Sequence, residues 1–181
     1  MNTWLQLGLS AFVIGVVYLA ARALAVYIGT RGERLVVCPE TKDYAVVELD
    51  ATTAARKSLR GKSWTHLKDC SRWETRARCD EPCLHQIAES ADGCLVRAYV
   101  DKFYRDKHCA ICHKPIGPID WVEHMPGALG PDGRTVTWDA VPTKELPRFL
   151  KTHLPVCWDC HITESFRRDH ALLVTDRPWT H

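Results

Sequence analysis

The sequence predicts an α+β protein: one long apolar helix, then a small cysteine-rich region built from short strands and short helices. Three observations predict it. Residues 3–30 are almost wholly apolar. All nine cysteines lie after that run. Between them, short runs rich in β-branched residues alternate with short helical patterns, bounded by Gly, Pro and Asp;.

TWLQLGLSAFVIGVVYLAARALAVYIGT carries a single charge, Arg22. About 20 such residues cross a bilayer as a helix. Trp4 and Tyr27 stand near its ends, where interfacial aromatics belong;. No Lys or Arg precedes the run, unlike the start of a cleaved signal peptide;. The expectation is a single-pass anchor over residues 1–30. Arg22, Arg31 and Arg34 follow the centre of the span, and the positive-inside rule then puts the following domain in the cytoplasm;. The chain has 24 Lys and Arg against 22 Asp and Glu. That near-neutral balance counts against nucleic acid as a partner held by bulk electrostatics.

Residues 31–106 are expected to form a cysteine-rich α+β subdomain. RLVVCPE (34–40) and YAVVELDA (44–51) read as strands joined by a turn at 41–43;. TTAARKSL reads as a helix with Thr52 or Thr53 near its N-cap, and SWTHLKDCS as a third strand;. EPCLHQIAES and CLVRAYVDKFYRD have helical periodicity, with Leu95, Ala98, Tyr99 and Phe103 on one face of the second;. Basic residues outnumber acids from Arg56 to Arg78, a solvated face or one turned to anionic headgroups;.

Residues 107–181 are expected to form a second subdomain. HCAICHKPIG reads as a tight turn. IDWVEH and RTVTWDAV read as a hairpin across GALGPDG. PTKELPRFLKTH reads as a short helix, and LPVCWDCHITESFRRDH carries a second cysteine pair into a helix;. RDHALLVTDRPWTH is a polar tail with an apolar patch that suits docking on a partner, and the tryptophans divide between core and interface;.

The cysteines carry the chemistry. Cys109 and Cys112, and Cys157 and Cys160, form two Cys-x-x-Cys pairs. Four such thiolates close the tetrahedral shell of a structural zinc ion. An odd number of cysteines, in a cytoplasmic domain whose thiols stay reduced, favours metal over disulfides. Cys38, Cys70, Cys79 and Cys83 are candidates for a second four-thiolate site; Cys94 is expected to be structural. Both pairs also spell Cys-x-x-Cys-His, the attachment motif of c-type haem. In that alternative His113 and His161 bind haem, the domain is periplasmic and the function is electron transfer.

Knuckle, hairpin, then knuckle leading into a helix resembles the HNH-type treble-clef zinc proteins, over about residues 107–172. The resemblance rests on Cys109, Cys112, Glu123, His124, Cys157, Cys160 and His161. It implies a treble-clef fold, with His124 as a water-activating base and His161 as a ligand of a catalytic ion. The gap from His124 to Cys157 is longer than in that family, and its asparagine has no counterpart here.

Three functional classes follow. The reading preferred is a membrane-anchored zinc-binding accessory or scaffold subunit, without catalytic residues, held in a larger membrane protein assembly. The alternatives are a membrane-bound electron-transfer protein with two c-type haems and an HNH-like nuclease.

Overall fold

A computed structural model describes residues 3–73 and 79–170 of the chain. The C-terminal tail beyond residue 170, including Trp179, lies outside the described residues. The mixed α and β architecture, the N-terminal apolar helix and a cysteine cluster in the C-terminal half are all present as the sequence predicts. The chain divides into two compact units, Met1–Val96 and Arg97–His181.

The first unit opens with helix α1, Thr3–Thr30, long and apolar enough to cross a membrane. Large apolar side chains from Trp4 to Ile28 are exposed along it, with Gln6, Ser10 and Arg22 the polar exceptions. The half-buried positions among its described side chains are Ala23, Val26 and Thr30, a helical stripe near its C-terminal end. Helix α2, Ala51–Ser58, lies against α1 and buries Ala51, Ala54 and Ser58. Small residues on both helices allow close backbone approach. The N-cap of α2 is Asp50, not the expected Thr52 or Thr53. Its carboxylate accepts the Thr53 N–H at 3.0 Å and the Thr52 hydroxyl at 2.8 Å;. Those bonds, led by the Thr53 N–H, hold its pKa down at about 2.

Strands β1 (Glu33–Val37), β2 (Tyr44–Leu49) and β3 (Leu67–Cys70) form an antiparallel sheet in sequence order. Alternate residues of β2 are buried, so one face meets the core;. That core gathers Val36, Ala45, Val47, Leu49 and Leu67 with Cys83 and Ile87 of helix α3, Cys83–Glu89.

Arg34 joins α1 to the sheet. It is 3% exposed on β1. Its guanidinium donates to the carbonyls of Gly29, at 2.9 Å, and Thr30, at 3.2 Å, the last orphan acceptors of α1;. It also donates to the Gly93 carbonyl. Gly93 has a φ of +59°, and a Cβ there would run into the guanidinium.

The second unit carries helix α4, Val96–Tyr104, from its second residue onward. The buried positions of α4 are Val96, Val100 and Tyr104, not the expected face of Leu95, Ala98, Tyr99 and Phe103. The register follows Tyr104, whose hydroxyl donates to the Gly127 carbonyl at 2.9 Å. Strands β4 (Gly127–Leu129), β5 (Thr135–Thr137) and β6 (Leu154–Val156) form an antiparallel sheet ordered β5-β4-β6. Helix α5, Leu146–Thr152, precedes β6 with Pro147 in its first turn, and helix α6, Trp158–Asp169, packs on β4 and β5;.

The hairpin corrects the sequence expectation. IDWVEH is not a strand; the first hairpin strand lies inside the stretch taken as the turn. Gly130–Gly133 makes a tighter turn, with Pro131 and Asp132 at its centre and Gly133 at a φ of +76°;. Asp132 Oδ1 accepts the Arg134 N–H at 3.1 Å and sets the register.

Replacing the buried guanidinium should loosen this frame. Arg34→Met leaves three carbonyls without their charged donor and is expected to cost ~1.5–3 kcal/mol. Arg34→Lys should recover only part, because an ammonium lacks the planar fork. Urea denaturation of the detergent-solubilised chain measures both; unchanged midpoints would remove Arg34 from this role.

Candidate metal centre

Residues 109–114 fold into a knuckle because the backbone closes on itself. The Cys109 N–H donates to the Lys114 carbonyl at 2.9 Å, and the His113 N–H returns to the Cys109 carbonyl at 2.9 Å. His113 takes a φ of +60° to complete the loop. The Ala110 N–H donates to the Pro155 carbonyl at 2.9 Å, which ties the knuckle to β6 beside the second cysteine pair.

Cys157 is the N-cap residue of α6 and Cys160 lies in its first turn. Free N–H groups and the positive end of the helix dipole favour thiolates there. The sulfurs of Cys109, Cys112, Cys157 and Cys160 all lie within 4.8 Å of one another. Cys112 Sγ and Cys157 Sγ are 3.8 Å apart. A tetrahedral ion with metal–sulfur bonds of about 2.3 Å sets its ligands about 3.8 Å apart, so the donor set fits zinc.

Electrostatics divides the four thiols. Burial works to raise Cys109, but N–H groups of Cys112, Cys157 and Ile111 outweigh it and bring the thiol down to about 6. Burial, then the neighbouring thiols, pushes Cys160 up. Burial also raises Cys157. Cys109 is thus the sulfur most disposed to meet a cation as a thiolate, while burial opposes the charged form at Cys157 and Cys160;.

The other candidates fall elsewhere. The His113 side chain is exposed. His161 is 8% exposed and packed against Gly127, and its Nδ1 has no hydrogen-bond partner among the described residues. Burial, then Arg168, lowers its pKa. His124 shares an exposed trio with Asp120 and Glu123, whose ligand atoms meet within 4.8 Å. Asp120, which the sequence reading did not single out, caps this turn by accepting the Val122 N–H at 2.9 Å. Its spacing to Val122, a short Asx-type turn, was the available signal. His124 and His161 both approach the Trp158 ring, at 5.7 and 6.4 Å, yet His161 is not part of that trio. Cys38, Cys70, Cys79 and Cys83 line one cavity of the first unit. As a set they are not drawn within 4.8 Å as the C-terminal four are. Burial, then the thiols of Cys70, Cys79 and Cys38, pushes Cys83 up to about 11. Cys94 stands apart and donates to the Gln86 carbonyl at 3.7 Å.

Two variants test the packing around the centre. A Cβ at Gly127 would meet the His161 ring at 2.7 Å. Gly127→Ala is expected to destabilise the second unit by ~1–3 kcal/mol, read as a lower urea midpoint. Cys112→Ser should lower zinc affinity and unfold the same unit, read by elemental analysis and protease sensitivity; a folded variant with its metal retained would count against the four-sulfur centre.

Comparison with known proteins finds no matching family model, no matching curated protein and no matching solved structure.

Proposed function

We propose that this chain is a membrane-anchored zinc-binding accessory subunit, whose metal holds a docking domain in shape beside the bilayer. The observation that carries the reading is the convergence of four sulfurs from two sequence-distant pairs within 4.8 Å, with Cys112 and Cys157 at the 3.8 Å separation of a zinc tetrahedron;. Four protein ligands fill a zinc shell and leave no open position for a substrate or water, so the metal is structural rather than catalytic. The order of knuckle, hairpin and helix supports the treble-clef likeness. The nuclease reading gains nothing from it, since the His161 ring is buried beneath Gly127 instead of facing His124 and Glu123. The haem reading needs each cysteine pair opened towards its own porphyrin, whereas these pairs face each other.

The anchor supports the membrane part. Trp4 to Arg22 spans about 28 Å at 1.5 Å per residue, close to the hydrocarbon thickness. The remaining turns of α1 are clad by α2, which brings Arg56 and Lys57 to the headgroup level on that side. With Arg31, these charges support a cytoplasmic domain. For docking, α6 offers Ile162 and Phe166, both exposed and one turn apart.

A visible spectrum and elemental analysis of the detergent-solubilised chain test the metal. The expected sample is colourless and contains zinc; a sharp reduced haem α-band with stoichiometric iron would replace this reading with electron transfer. A phosphatase fused after His181 should be inactive in cells, and activity would put the domain on the outer side.

A further inference from the structure

Residues 38–42, CPETK, have the same backbone as the zinc knuckle at 109–113. The Cys38 N–H donates to the Asp43 carbonyl at 2.8 Å, as Cys109 does to Lys114. The Lys42 N–H returns to the Cys38 carbonyl at 2.8 Å, as His113 does to Cys109. Lys42 has a φ of +58° and His113 of +60°. The Cys38 sulfur accepts the N–H groups of Glu40 and Thr41, as the Cys109 sulfur accepts those of Ile111 and Cys112. A left-handed lysine in a five-residue loop is costly without cause, and the shared ring of bonds closing on the cysteine gives one; Pro39 lacks the N–H with which Ala110 reaches β6;. The difference is at the fourth position, where Thr41 stands in place of Cys112. Its hydroxyl accepts from Arg72 at 2.6 Å.

The missing ligand is available from elsewhere in the fold. Cys70 ends β3, where the Trp73 N–H closes a turn on its carbonyl at 2.9 Å. Cys83 opens α3, and Cys79 precedes it by four positions. All three line the same cavity as Cys38. That cavity measures about 30 Å³. It has room for an ion or a water or two, and too little for an organic cofactor.

We propose that Cys38, Cys70, Cys79 and Cys83 form a second four-thiolate zinc site in the first unit. Soft thiolates in a closed tetrahedral set select zinc among common divalent ions. Binding replaces the protons of the four thiols with one Zn²⁺ and needs no redox partner. The ion draws the sulfurs together across the cavity, as the C-terminal four already are. This site stands independently of the one proposed above.

The test is zinc content per chain, on the full chain in detergent, with mapping of cysteine alkylation before and after chelation. The expected wild type holds two zinc ions. Cys70→Ser with Cys83→Ser leaves one, Cys109→Ser with Cys112→Ser leaves one, and Cys94→Ser leaves two. Chelation should open Cys38, Cys70 and Cys79 to alkylation, which the wild type reports even if a variant misfolds. One zinc in the wild type, lost with Cys112→Ser and kept with Cys70→Ser, overturns this proposal and leaves the C-terminal centre standing. One zinc with the opposite pattern overturns the C-terminal centre and supports this site. No zinc at all overturns both.

Discussion

In the second unit four cysteine sulfurs, from two pairs far apart in the sequence, lie within 4.8 Å of one another. Its three strands are three residues long each, and its described helices are of twelve residues or fewer. Elements so short bury little apolar surface and are marginal alone. The cysteine centre lies where the knuckle, β6 and the start of α6 come together, joined by the Ala110 to Pro155 hydrogen bond. A cation bound there would link two pairs far apart in sequence and hold the start of α6 beside β6;. His161 follows from that placement. As the residue after Cys160, it is carried over β4, where only a glycine leaves room for its ring.

Much of this was legible in the sequence. Residues 3–30 announce a helix by length and apolarity alone, and two Cys-x-x-Cys pairs announce a cysteine cluster that could hold a metal, with haem attachment the other use of the same string;. The short elements were less so. GALGPDG reads as a loop by composition, yet Gly127–Leu129 forms the middle strand, since its partners on both sides and the Tyr104 hydroxyl are tertiary. On α4 the leucine and aromatic positions suggested one face, and packing chose another built on Val100 and Tyr104. The α2 cap moved from threonine to Asp50, whose carboxylate accepts the Thr53 N–H and draws the Thr52 hydroxyl in as a donor;.

The histidines show where motif and geometry part. Cys-x-x-Cys-His is the same string at both places, and the two histidines have unlike fates. His113 occupies the left-handed position that closes a knuckle, with its side chain in solvent. His161 sits inside a helix and is buried. Neither fate is written in the five letters; each comes from whether a turn or a helix follows the second cysteine.

Arg34 has a consequence for how the residues after α1 can be handled. Two residues separate α1 from β1, and the guanidinium on β1 donates to carbonyls at the end of α1. Helix and sheet therefore share one hydrogen-bonded joint rather than a swivel. Cutting the chain near residue 30 to obtain a water-soluble fragment would strip a buried charge of two acceptors. The end of the apolar helix is also a hydrogen-bonding partner of the first sheet, and the two cannot be separated without replacing those acceptors.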